Sequence, residues 1–81
     1  MKIKILLFSI AKDLADFEEK IVTLEKNATV DTVMDYLIEY NPQFVDWKQV
    51  FRFAVNQEYT GLNHELQDGD EVAVIPPVSG G

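Results

Sequence analysis

The sequence predicts an α+β domain, a mixed sheet with one main helix packed on one face and an extended C-terminal tail. Three observations carry that expectation. Short segments near the start, middle and end of the chain alternate their side chains at the two-residue period of a half-buried strand. One segment alone repeats apolar residues at helical spacing. Two adjacent prolines, Pro76 and Pro77, then end the last strand, because neither can donate a ladder hydrogen bond.

The first strand reads as Lys2 to Ser9. Ile3, Ile5 and Leu7 alternate onto one face, while Lys2 and Lys4 take the other. That second face continues as Leu6 and Phe8, an apolar end to a polar face. Such an end is either a contact surface or the seat of another element. Ala11 to Glu19 reads as an acidic connection anchored by Leu14 and Phe17, and Lys20 to Glu25 as a second strand forming a hairpin with the first.

Lys26-Asn27-Ala28 breaks the pattern, and Thr29 is a plausible N-cap with Asp31 favoured in the first turn by the helix dipole. Val30, Val33, Met34, Leu37 and Ile38 follow at helical spacing, with Asp31, Asp35 and Glu39 on the wet side. Asn41-Pro42 ends the helix, since a residue before proline avoids helical dihedrals. Gln43 to Val50 fits a loop or a short helical turn. Phe51 to Asn56 reads as a third strand with Phe51, Phe53 and Val55 on one face. Gln57 to Thr60 is a turn and short strand, Asp68-Gly69 is a turn, and Glu71 to Ile75 is the last strand. A hairpin, a crossover helix and a returning set of strands match the β-grasp, ubiquitin-like order. A ferredoxin-like split fold would need a second full helical run. The expected division is a β-grasp domain over residues 1–75 and an extended Gly-Gly tail over residues 76–81.

Bulk properties narrow the function. With 81 residues the chain is one domain, burying about 60–65% of its unfolded surface. Its net charge of −7 argues against nucleic acid as partner and permits steering toward a basic protein. No apolar run approaches the roughly 20 residues that span a bilayer, and no signal-peptide pattern follows the start. The expected setting is cytoplasmic, with no membrane partner. There is no cysteine, so any sulfur the chain handles must be carried elsewhere. His64 stands alone beside Glu65, short of the ligands a metal needs. Asp68, Asp70 and Glu71 suit turn chemistry better than calcium. No metal and no bound cofactor are expected.

The chain closes with Pro76-Pro77-Val78-Ser79-Gly80-Gly81. The prolines bias the tail toward an extended conformation. The terminal glycines bring no Cβ to a carbonyl carbon that a nucleophile could attack. A bare Gly-Gly end is a weak signal, since many termini fray. At the end of a predicted β-grasp domain it is a stronger one.

The run from Asp68 to Gly81, DGDEVAVIPPVSGG, together with Ala54-Val55-Asn56-Gln57 before it, resembles the molybdopterin synthase small-subunit family. The opening strand ending in Phe8, the helix from Thr29 and the overall length agree, so the resemblance covers essentially the whole chain. Two positions depart from it: Lys12 is the nearest candidate for an arginine common after the first strand, and Ile75 stands where an aromatic is common.

The resemblance implies that an adenylating enzyme related to ubiquitin-activating enzymes uses ATP to activate the Gly81 carboxylate. A sulfur donor protein would then convert it to a thiocarboxylate. The tail would enter the synthase large subunit in a heterotetramer and give its sulfur to cyclic pyranopterin monophosphate, with the catalytic side chains on that partner. Gly81 would carry the sulfur and Gly80 would give access. Pro76, Pro77, Val78 and Ser79 would run through the partner's channel. Phe8 and Ile75 are the candidate docking residues. A sulfur carrier of another pathway, a ubiquitin-like modifier and an inert interaction module are the competing readings.

Overall fold

The first and last strands of the chain lie side by side. The computed structural model describes residues 1–77; the expectations placed on Val78, Ser79, Gly80 and Gly81 lie outside the described residues. The elements are β1 (Lys2–Leu7), α1 (Ile10–Ala15), β2 (Glu19–Thr23), α2 (Val30–Tyr40), α3 (Phe44–Trp47), β3 (Arg52–Val55), β4 (Glu58–Thr60) and β5 (Glu71–Ile75). They form a five-stranded mixed sheet in the order β2-β1-β5-β3-β4, the β-grasp arrangement. β1 pairs antiparallel with β2 and parallel with β5, and β5 pairs antiparallel with β3. The parallel pair needs a long crossover, and α2 lies within it.

The period-two pattern of β1 translates directly into packing. Ile3, Ile5 and Leu7 are essentially inaccessible, as are Val72 and Val74 of β5. Val30, Val33, Met34 and Leu37 of α2 close over them, while Ile38 is partly buried at the margin. The Thr29 N–H donates to Thr32 Oγ1 at 3.0 Å, satisfying a backbone donor at the helix entry. Asn41 is extended at the other end, as the following proline requires. Its side-chain amide donates to the Leu14 carbonyl at 2.8 Å, tying α1 to the end of α2.

Four boundaries differ from the sequence reading, and one open choice is resolved. β1 ends at Leu7 rather than Ser9, because the turn into α1 begins at Phe8. The expected connection over Ala11 to Glu19 contains α1, whose Ala11 and Ala15 are fully buried. A helix this short shows too few turns for its period to register, and its inward residues are small. The second strand runs Glu19–Thr23 rather than Lys20 to Glu25, because its register is set by pairing with β1 from Lys2 to Leu6. The ambiguous stretch after Pro42 folds as α3, with Phe44 buried and Trp47 stacked on Phe51 at 5.7 Å between ring centroids. β3 spans Arg52–Val55, one residue shorter at each end than expected, since Phe51 belongs to the aromatic cluster and Asn56 to the turn.

Lys20 provides a link that local patterning does not reveal. Its ammonium lies 5.4 Å from the ring of Phe17, 5.8 Å from Tyr36 and 5.3 Å from Tyr40. Cation–π attraction thereby ties the edge strand to the end of α2. The neighbouring Tyr36 hydroxyl raises the Lys20 pKa above the ordinary lysine value.

Two stability outcomes follow from this packing. Leu37→Ala should lower unfolding free energy by about 2–5 kcal/mol, the range for a buried leucine left as a cavity, read as a fall in the urea midpoint. Asn56 and Gln57 connect the paired residues Val55 and Glu58 with φ values of 52° and 73°. That is a two-residue turn of the type that favours glycine at its second position. Gln57→Gly should therefore raise stability by roughly 0.5–1 kcal/mol, relief of left-handed strain outweighing glycine's entropy cost. An unchanged or lowered midpoint would refute that assignment of strain.

Candidate functional site

The tail is rooted at the centre of the sheet. Ile75 ends β5, the middle strand, and its Cα partner on β3 is Arg52. Beyond it Pro76 is half-buried and Pro77 is exposed. The site residues Val78, Ser79, Gly80 and Gly81 lie outside the described residues.

The two sheet faces differ in kind. One is covered by α2 and holds the core. On the other, β1 presents Lys2, Lys4 and Leu6, β5 presents Glu71, Ala73 and Ile75, and β3 presents Arg52 and Ala54. The register sets Leu6 beside Ala73, Ala73 beside Ala54 and Ala54 beside Tyr59, a row crossing four strands. Phe8 and Ile75 join this row around a shallow concavity of about 300 Å³. The structure thus brings the two candidate docking residues together on the open face, outside the core. Phe8 is 48% exposed and Tyr59 is 70% exposed, so large apolar groups stand in water beside the tail root. Covering one such ring would contribute about 1.5–3 kcal/mol to an association.

Local chain geometry sets Phe8 in place. Ser9 adopts φ 55° and ψ −125°, a conformation that side chains disfavour. The Phe8 carbonyl accepts a hydrogen bond from the Ala11 N–H at 3.1 Å, closing a tight turn into α1. The turn ends β1 while Phe8 still follows the strand's alternation, on the side of Leu6.

Polar clips hold the opposite end of the sheet. The Asp70 carboxylate accepts from Asn56 Nδ2 at 2.9 Å and from the Gln67 N–H at 2.8 Å. Asn56 Oδ1 in turn accepts from the Glu71 N–H at 3.0 Å. The Lys2 N–H donates to Asp68 Oδ1 at 2.7 Å, and Gly69 sits at φ +88° in the turn. The acidic run therefore secures the entry to β5, and with it the register that aims the tail. Among the described residues no group of three metal-ligating side chains could hold an ion, and His64 is exposed.

Sequence reasoning overlooked Tyr59, Ala54 and Ala73 as members of this surface. Tyr59 lies on a three-residue strand whose facing depends on the register with β3. The paired alanines were the available signal, small residues where a tight apolar floor meets the open face.

The sequence and the fold match known proteins along essentially the whole chain. Residues 5–81 match the ThiS family. The molybdopterin synthase sulfur carrier subunit of Chlamydomonas reinhardtii is 36% identical over 83 aligned positions, covering all of both chains. The solved structure of a Pyrococcus furiosus protein assigned as subunit 1 of molybdopterin converting factor superposes with a TM-score of 0.84 at 29% identity, covering 96% of this chain and 99% of that one. SAMP1 from Haloferax volcanii superposes with a TM-score of 0.83 at 26% identity over the full length of both chains. A β-grasp sheet, a family match over residues 5–81 and a relative 36% identical along its full length place the chain in the ThiS family alongside the molybdopterin synthase sulfur carrier subunits.

Proposed function

We propose that the chain is the sulfur carrier subunit of a molybdopterin synthase and works through its last carboxylate. The observation that carries this reading is the position of Gly80-Gly81, six residues or fewer beyond the central strand of a ThiS-family domain, behind Pro76 and Pro77. Fully extended, the six residues after Ile75 reach at most about 20 Å, far enough to enter a partner's active site while the open sheet face docks outside it.

The chemistry requires an activated acyl group. A Gly81 carboxylate oxygen attacks the α-phosphorus of ATP held by an adenylating enzyme, releasing pyrophosphate and forming an acyl-adenylate. A sulfur donor's nucleophilic sulfur then adds to the carbonyl carbon and AMP leaves. When that sulfur is the outer atom of a donor persulfide, the product is an acyl disulfide; a thiol attacks the donor-side sulfur, the S–S bond breaks with formation of a donor disulfide, and a thiocarboxylate is left at Gly81. Glycine removes steric hindrance at this carbon, and the lack of cysteine leaves the terminus as the site for transferable sulfur. Inserted into the large subunit, the thiocarboxylate sulfur attacks cyclic pyranopterin monophosphate on the way to the dithiolene. Side chains of the large subunit supply the proton transfers. A cytoplasmic heterotetramer of two small and two large subunits suits this role.

Phe8 and Ile75 act in this reading as the apolar seat of the partner. The likeness to SAMP1 favours one second reading, a ubiquitin-like modifier in which a lysine amine takes the acyl group in place of sulfur.

Incubation with ATP, the host's adenylating enzyme and a sulfur donor should change the intact mass by the exchange of one oxygen for sulfur. Deletion of Gly81 should abolish the change. An unaltered mass with an enzyme active on another carrier would exclude the sulfur-carrier reading, and covalent adducts to protein lysines would favour the modifier. Phe8→Ala should weaken binding to the large subunit by about tenfold or more, given the area of one exposed ring, without changing the urea midpoint appreciably; calorimetric titration reads this.

A further inference from the structure

A groove of about 530 Å³ runs between the α3–β3 connection and β4, beside the apolar concavity that holds Phe8 and Ile75. Phe51 and Phe53 contribute its apolar floor, and Tyr59 and Arg52 stand along its sides. None of its lining residues is acidic, although the chain has fourteen acidic residues to seven basic ones. Two cations, Lys48 and Arg52, line it. The Lys48 ammonium is answered by Asp31 Oδ1 at 2.8 Å. Among the described residues, no carboxylate lies within ion-pair distance of Arg52, the chain's single arginine.

We propose that this groove is a second docking element, which receives an acidic and partly apolar segment of the large subunit with a carboxylate paired to the Arg52 guanidinium. The inference rests on the reading of the chain as a synthase subunit and adds to it a registering contact. Arg52 is the strand partner of Ile75, so the guanidinium is carried by the backbone position next to the tail root. Tyr59 lines both the groove and the apolar concavity, making the two surfaces continuous. A partner seated on Phe8 and Ile75 therefore borders both Tyr59, which shares the concavity, and Arg52, which pairs with Ile75.

The charge pattern favours a carboxylate as occupant. A surface of net charge −7 attracts a basic partner in many orientations. With Lys48 answered by Asp31, the Arg52 charge in a groove lined by no acidic residue selects among them, since the wrong orientation sets it against the partner's own cations. The planar guanidinium can take a carboxylate with two parallel hydrogen bonds, and Phe51, Phe53 and Tyr59 offer apolar surface to the adjoining residues. A single arginine is too little positive charge for a nucleic acid backbone.

The test is calorimetric titration of the host's large subunit with the full-length chain, Arg52→Glu, Arg52→Gln and Arg52→Lys, at low and moderate salt. Arg52 is exposed, and circular dichroism checks that each variant is folded. Arg52→Glu should weaken binding by about tenfold or more at low salt, and Arg52→Gln by less. Arg52→Lys should recover part of the loss, and the salt dependence should shrink with the lost charge. A purely structural role for Arg52 would not follow charge in this way. If the wild-type chain binds and Arg52→Glu and Arg52→Gln bind within about twofold of it, the groove proposal is overturned while the subunit reading stands. If the wild-type chain does not bind at all, the subunit reading fails and the groove proposal fails with it.

Discussion

The parallel pairing of β1 with β5 is the constraint on which the rest of the structure depends. It sets the beginning of the chain against its end, with Lys4 to Leu7 opposite Glu71 to Val74. A parallel pair cannot be closed by a tight turn, so a long segment must leave the sheet and come back. That segment includes α2, which covers the face made by Ile3, Ile5, Leu7, Val72 and Val74. The same pairing makes β5 an interior strand, flanked by β1 and β3. A tail leaving an edge strand would start beside open solvent; this one starts from an interior strand, with Ile75 paired to Arg52 of β3.

Covering one face leaves the other as the domain's outward surface, and the strand register decides what it displays. Lysine and glutamate occupy the β1–β2 end, where Lys4 pairs with Glu19 at 3.6 Å. Apolar and aromatic groups gather where β5 gives way to the tail. Both ion-paired partners at the polar end are exposed, so the pair contributes little to stability. The division instead makes the surface directional, wet at one end and ready to lose water at the other. The Asp70–Asn56–Glu71 hydrogen bonds hold the register that creates this division. A slip of one residue would turn Ala73 and Ile75 inward and Val72 and Val74 outward.

Function and stability are thus separated along β5. Its inward residues hold the core, its outward residues serve the surface, and its continuation supplies the reactive group in the proposed chemistry. Phe8, Tyr59 and Arg52 are exposed side chains, so substituting them removes little buried contact. Substitutions at Leu37 or Phe44 remove buried contacts and act on folding.

Much of this was legible in the sequence because it is local. Alternation identified the inward residues of β1, helical spacing identified the buried stripe of α2, and Pro76-Pro77 marked the end of β5. The family resemblance rests on the Asp68 to Gly81 run; Phe8 is a candidate contact because it extends the polar face of β1 as an apolar end, and Ile75 because it stands where the resembled family commonly has an aromatic. The tertiary structure decided what no window of sequence contains. α1 was hidden because six residues with small inward side chains leave too little periodic signal. The Lys20 contacts with Phe17, Tyr36 and Tyr40 join segments whose approach depends on how β2 lies against α2. Tyr59 and Arg52 became neighbours of the tail root only through the β3–β5 and β3–β4 registers. The last two share a physical reason. Period and turn chemistry report the environment of each residue along its own element, whereas a surface assembled across strands is set by register, which long-range pairing alone determines.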